Sequence, residues 1–223
     1  EKYNLKAAKY YFSMNKISEK GAFLENGKIY FNDGKNTEEV LEVKDIKIPW
    51  VHNIKNIMAA IIASKLLNID TEIIRNSIIS FTGVEHRIEF VRELEGVKYY
   101  NDSKGTNPDS TEVAVTAMDG DVVLIAGGYD KGADFDDLIE KSKDKLKNVI
   151  LFGETAEKFS NSCKKSAVEF YIVKDLNKAV ELAKKLSKDG DDVLLSPACA
   201  SWDMYSDYEV RGKHFKDLVR ELV

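Results

Sequence analysis

"GVKYYNDSKGTNPDST", residues 96–111, passes from an apolar stretch through a polar loop into the opening of a helix. The stretch 96–101 has the composition of a strand. Asn107 is placed to cap the helix that follows, Pro108 suits its first position because no amide hydrogen is needed there, and Asp109 favours the helix dipole. Strand, short loop and helix make the repeating unit of a parallel sheet. The same unit recurs outward along the chain, with strands predicted at "DVVLIAG" (121–127), "NVILFG" (148–153), "VEFYIV" (168–173) and "DVLLSP" (192–197) and helical segments between them. Strands that are almost wholly apolar are covered on both faces. "FVREL" (90–94) is a candidate antiparallel addition. The predicted class is α/β, with residues 83–223 forming a doubly wound, mostly parallel sheet of Rossmann-like type.

Residues 1–82 follow another pattern. "AFLENGKIYF" sets two alternating apolar runs around Asn26-Gly27, a dipeptide that supplies positive φ to a two-residue hairpin turn, so this region reads as antiparallel β. After "VLEVKDIKI", Ile54, Ile57, Met58, Ile61, Ile62 and Leu66 recur at spacings of three and four within 52–68, one apolar face of a helix. A shorter helix is predicted over 71–79. This is a partial mixed α/β piece, and the junction at Thr82-Gly83 is the expected hinge, since Gly absorbs backbone rotation. There is no internal repeat and no low-complexity tract.

Composition narrows the function. The chain has 223 residues, 43% hydrophobic and 32% charged, with a net charge of −5 and a pI near 5.4. Its Lys and Arg are scattered, so there is no basic footprint for nucleic acid. Cys163 and Cys199, the only cysteines, match no zinc or CxxC spacing. No run approaches the roughly 18 apolar residues of a membrane span, and Glu-Lys-Tyr-Asn at the N-terminus lacks a signal-peptide pattern. A cytoplasmic monomer is expected.

Ligands of open parallel sheets bind beyond the carboxyl ends of the strands, and the residues there are the informative ones. Asp102, Lys104 and Thr106, after the 96–101 strand, are required by no turn type. Such an Asp suits ribose hydroxyls, and a Lys and a Thr beside a helix start suit a carboxylate or phosphate; a solvated loop is the plain alternative. Gly127-Gly128-Tyr129-Asp130-Lys131-Gly132 follows the next strand. Tyr129 stands where the dinucleotide fingerprint needs its second glycine, which disfavours a nicotinamide dehydrogenase. "SPACASWD" (196–203) makes a compact turn of small residues with hydroxyls and amides. It lacks the G-x-S-x-G elbow and the chain has only three histidines, which disfavours a serine hydrolase; Cys199 reads as a small buried residue. In the first part, Asn53 is a candidate N-cap and Asn56, one turn on, offers an amide that matches the adenine edge. His86-Arg87 puts a guanidinium near the junction, for a phosphate or for a structural salt bridge. No Gly-Lys in the sequence has the spacing of a P-loop.

Taken together, "HNIKN", "HRIEF", "NDSKGTNPDST", "GGYDKGADF" and "SPACASWD" occur in the order and spacing of the Mur ligases, and the chain resembles that family from about Ile46 to its end. Asn-Asp-Ser-Lys and Ser-Pro-Ala-Cys-Ala-Ser select its D-glutamate-adding branch. The resemblance implies an ATP-dependent ligase that activates the L-alanyl carboxylate of UDP-N-acetylmuramoyl-L-alanine as an acyl phosphate and joins D-glutamate to it. It also implies that the UDP-binding domain, the P-loop and the Mg ligands lie upstream of Glu1, so that 1–82 is the remnant of a central ATP-binding domain, 83–223 is the amino-acid-binding domain, and the chain alone is inactive. By resemblance Asn53 and Asn56 hold adenine, Asp102 the ribose and Arg87 the γ-phosphate. Lys131, Thr106 and Ser201 hold the carboxylates of D-glutamate with Tyr208 beside them, at a position usually Phe, while Lys104 and His86 support. Trp50, where the family usually has Gly, departs from the pattern at the turn entering the adenine helix. The alternative left open is a non-catalytic module that binds a nucleotide or small acid on the same fold.

Overall fold

The computed structural model describes residues 7–48 and 50–223; the N-terminal residues read above for a signal pattern lie outside them. The chain divides into two compact units, Glu1–Gly83 and Val84–Val223, each with its own apolar core.

In the first unit, β1 (Tyr11–Ser13), β2 (Gly21–Glu25), β3 (Lys28–Asn32) and β4 (Thr37–Glu42) form one sheet in that order. Asn26 and Gly27 both take positive φ, 51° and 76°, and Glu25 pairs with Lys28, the two-residue hairpin that the dipeptide predicts. The antiparallel expectation fails at β1, which pairs parallel with β2. Gly21, at φ 148°, permits that pairing, because a Cβ there would run into the Tyr11 carbonyl. Two helices follow, α1 (Val51–Leu66) and α2 (Thr71–Ser80). Ile54, Ile57, Met58, Ile61 and Ile62 of α1 are buried with Ala22, Ile29, Phe31, Val40 and Leu41 of the sheet. Burial of those five helix side chains contributes on the order of 10 kcal/mol before the opposing conformational entropy. Leu66, expected on the same face, is exposed at the helix end.

The second unit carries β5 (Glu89–Leu94), β6 (Val97–Asn101), β7 (Val122–Ala126), β8 (Leu146–Leu151), β9 (Phe170–Ile172) and β10 (Asp192–Leu195), in the spatial order β5-β6-β10-β7-β8-β9. β5 is antiparallel to β6; the other pairings are parallel. The helices are α3 (Pro108–Ala117), α4 (Asp136–Ser142), α5 (Ala156–Lys165), α6 (Leu176–Leu186) and α7 (Tyr208–Glu221). One core joins Val97, Tyr99, Val123, Ile125, Val193 and Leu195 of the sheet to Val180 and Ala183 of α6 and Phe215 and Val219 of α7. Helices α3, α4 and α5 pack side by side. The mixed, mostly parallel α/β class is thus as the sequence reads, although the predicted 168–173 strand contracts to three residues. β10, last in the chain, lies between β6 and β7. That insertion brings the loops following β6, β7 and β10 together, and the chemistry collects there.

Candidate functional site

Asn107 caps α3 through Oδ1, which accepts from Ser110 N at 2.9 Å, and Pro108 takes the first helical position. With the helix start fixed, the preceding loop is laced to its neighbours by backbone hydrogen bonds. Ala198 N donates to Gly105 O at 2.9 Å and Gly127 N to Pro197 O at 2.9 Å. Tyr129 N donates to Ala200 O at 2.9 Å, part of an isolated bridge between the β7 and β10 loops. Lys131 Nζ completes the lacing by donating to Thr106 O at 2.8 Å.

Several donors in these loops remain unspent. Among the described residues neither the Thr106 nor the Ser201 hydroxyl makes a side-chain hydrogen bond, and Lys131 uses one of its three N–H groups. Ser201 is 2% exposed. Lys104 is exposed, with its ammonium 5.4 Å from the centre of the Tyr208 ring. Arg87 is exposed, and its charge acts on the nearby Asp102 carboxylate. Cations and hydroxyl donors at a helix start and at the ends of parallel strands suit a small anion.

Asp102 behaves otherwise. It is 4% exposed, and its carboxylate accepts from Ile88 N at 3.1 Å and from Ser196 Oγ at 2.7 Å. Burial raises its pKa from 3.8 to about 6, against the lowering effect of the Ser196 and Ile88 hydrogen bonds and of Arg87 and Arg211. The carboxylate thus braces the loop from within, a structural duty beside the ribose role that the resemblance implies. The reason is Gly105, where any Cβ would collide with Asp102 Oδ2 and lie 2.7 Å from Ser196 Oγ. The bare glycine lets the chain fold down over the acid.

His86 is likewise committed. It is 6% exposed, in a positive-φ conformation (63°), with Nδ1 2.9 Å from Asn101 Nδ2. Asn101 Oδ1 accepts from Ser103 N, which fixes the amide orientation. Asn101 Nδ2 is therefore a donor, Nδ1 of His86 accepts, and the ring proton sits on Nε2. Tyr208 meets this ring edge-on, centroids 6.1 Å apart.

The one cluster of metal-ligating types found among the described residues is Glu85, His86 and Glu89. It does not fit a magnesium ion, because the Lys216 ammonium already lies 2.5 Å from Glu85 Oε1 and 3.0 Å from Glu89 Oε1. In the first unit, Asn53 and Asn56 lie in the first turns of α1, whose N-cap is Trp50. Asn53 is therefore not the cap, a correction, and its amide is not spent on that duty. Trp50 stacks on His52, ring centres 6.3 Å apart.

Sequence reasoning gave no role to Arg211, Ser103 and Asn101, all buried, and read the Ser196 hydroxyl as one for a ligand, whereas it donates to Asp102. For Arg211 a signal existed: it shares with Phe215 and Val219 the i, i+4, i+8 face of α7 that enters the core, and a cation on such a face needs partners.

A doubly wound domain with an anion-receptive carboxyl edge is a common design, and comparison with known proteins narrows it. The sequence profile described as Mur ligase, glutamate ligase domain, matches residues 86–199. The chain belongs to the Mur ligase family. It is 49% identical over 213 residues to a UDP-N-acetylmuramoylalanine--D-glutamate ligase of Clostridioides difficile, covering 95% of this chain and 47% of that protein. A ligase of the same name from Thermoanaerobacter sp. is 45% identical over 214 residues, again 95% of this chain and 47% of the relative. The chain thus spans about half the length of these curated relatives. Among solved structures, UDP-N-acetylmuramate-alanine ligase MurC from Thermotoga maritima superposes with a TM-score of 0.64 at 17% identity, over 94% of this chain and 47% of that one. Mycobacterium tuberculosis folylpolyglutamate synthase complexed with ADP gives 0.63 at 11%, over 84% and 44%. At such identities these two likenesses speak for the fold alone.

Proposed function

We propose that the second unit is the amino-acid-binding domain of a ligase that joins D-glutamate to UDP-N-acetylmuramoyl-L-alanine with ATP as the energy source. The observation that carries this reading is the laced trio of loops holding Thr106, Lys131 and Ser201 with donors to spare. In this reading Lys131 supplies the charge and Thr106 and Ser201 the directed hydrogen bonds for the two carboxylates of D-glutamate. That fixes the amino acid so that its amine points at the acyl carbon it attacks; the C–N bond forms, the amine loses a proton and the phosphate leaves. Held in place, the amine reacts as if at very high local concentration. Lys104 and Tyr208 flank the amino acid, and Arg87 is free to meet a phosphoryl group.

The adenine role of Asn53 and Asn56 belongs to the same proposal, because both sit on α1 with amides uninvolved in capping. The sequence has no P-loop, and the Glu85-His86-Glu89 cluster is filled by Lys216. ATP phosphates and magnesium thus find no cradle in these residues, and no chemical step is assigned through them.

The test is calorimetric titration of D-glutamate, with L-glutamate as the control, into this chain and into Lys131→Ala. D-selective binding that weakens at least ten-fold in the variant is expected. Equal binding of both enantiomers, or binding indifferent to Lys131, overturns the assignment.

A further inference from the structure

Arg211 is 0% exposed and has no carboxylate among its hydrogen-bond partners. Nε donates to Ser103 Oγ at 3.0 Å, Nη2 to Ser103 O at 2.9 Å and to Cys199 O at 3.1 Å, and Nη1 to Ala200 O at 3.3 Å. Ser103 Oγ in turn donates to Tyr208 O at 2.8 Å, closing the ring back onto α7. Ala200 O also accepts the Tyr129 amide. Gly128, at φ 143°, clears the remaining side, since a Cβ there would lie 3.2 Å from Nη1 and overlap Ala200 O. One guanidinium therefore grips the loop after β6 and the loop after β10 and backs onto the loop after β7. Those loops carry Thr106, Ser201 and Lys131. A buried charge paired only with neutral acceptors is costly, and a fold selected for stability alone has better options in an apolar side chain of similar volume.

We propose that Arg211 is a positioning residue: its planar fork holds the β6 and β10 loops in register, and thereby sets the spacing of the carboxylate-binding groups. The second half of this inference rests on the amino-acid-site reading above; the first does not. Lysine cannot replace the arginine, because a point ammonium cannot reach acceptors on both edges of a fork.

The molecule contains its own control. Cys199, 2% exposed, lies in the gripped loop, and Cys163, 0% exposed, lies in α5. In Arg211→Lys the alkylation rate of Cys199, followed by mass spectrometry, is expected to rise at least ten-fold while that of Cys163 stays within two-fold of wild type, and D-glutamate affinity falls at least ten-fold. Equal acceleration at both thiols would make Arg211 a general stabiliser and overturn the proposal. Acceleration at Cys199 with unchanged D-glutamate binding would overturn the site-spacing role. If the wild-type chain binds no D-glutamate, the amino-acid reading fails, and the contrast between the two thiols still decides whether Arg211 holds the loops. Should Arg211→Lys not fold, Ser103→Ala removes only the Nε acceptor and its link to α7, and the same contrast at the two cysteines applies, three-fold or more at Cys199 being the supporting result and no contrast the overturning one.

Discussion

Asp102→Asn separates the charge of this buried acid from its shape. In the folded chain its pKa rises from 3.8 to about 6, chiefly through burial. The native state thus binds this proton more tightly than the unfolded state does, and what the group contributes to stability is greatest below pH 3.8 and declines as pH rises through 6. At 1.36 kcal/mol per pH unit, the rise makes the ionised carboxylate about 3 kcal/mol less favourable in the fold at pH 7.5 than at its ordinary pKa. Asparagine stays neutral throughout and keeps the network closed. Oδ1 retains the Ile88 amide; Nδ2 donates to Ser196 Oγ; Ser196 redirects its proton to Thr111 Oγ1 at 2.8 Å; and Thr111 donates to Ser196 O at 3.3 Å. Urea unfolding of both proteins between pH 4 and 7.5, followed by Trp202 fluorescence in a Trp50→Phe background, reports on the second unit, and the difference between the proteins cancels the other titrating groups. The variant is expected to match wild type near pH 4 and to exceed it by about 3 kcal/mol at pH 7.5, with most of the change between pH 4 and 6. A difference that is flat with pH, or a variant that loses stability as pH rises, would refute the claim that burial dominates this site.

Three further perturbations probe other links. Gly212→Ala gains about 1 kcal/mol of helix propensity, but its methyl group would lie 2.9 Å from His86 Cε1 and closer still to Nδ1. A net loss of about 1–2 kcal/mol, with displaced His86 ring resonances, is expected by thermal denaturation and NMR. Asn107→Ala removes the α3 cap and should cost about 1 kcal/mol in chemical denaturation. Asn53→Ala should leave the stability of the first unit within about 0.5 kcal/mol; a loss near 1 kcal/mol or more in thermal melts would mean that Asn53 caps α1 after all.

Which residues lie close together at the carboxyl edge is a separate matter from which residues are there. Lys131 and Thr106 are 25 positions apart, yet their contact is 2.8 Å. Arg211 reaches Ser103 across 108 positions. These juxtapositions follow from β10 entering the sheet between β6 and β7, a choice that depends on how α6 and α7 share one face of the sheet. Strand order of this kind leaves no mark in local composition, because any of the apolar strands would be equally buried in a central position.

The sequence by itself determined the elements and their punctuation. Asn107-Pro108 marks the start of α3, Asn26-Gly27 the hairpin turn, and the apolar runs the strands of a parallel sheet, since each rests on backbone conformation or burial periodicity within a few residues. The five motifs also pointed to the family that the profile then matched. Tertiary structure alone decided which polar residues are spent and which are free. Asp102 and Lys104 sit two residues apart in one loop, one sealed under Gly105 and the other exposed. Asn53, a plausible cap by residue type, lost that role to Trp50 because the helix begins earlier than its pattern suggests. Desolvation and hydrogen-bond partnership are properties of neighbours in space, and a linear pattern does not carry them.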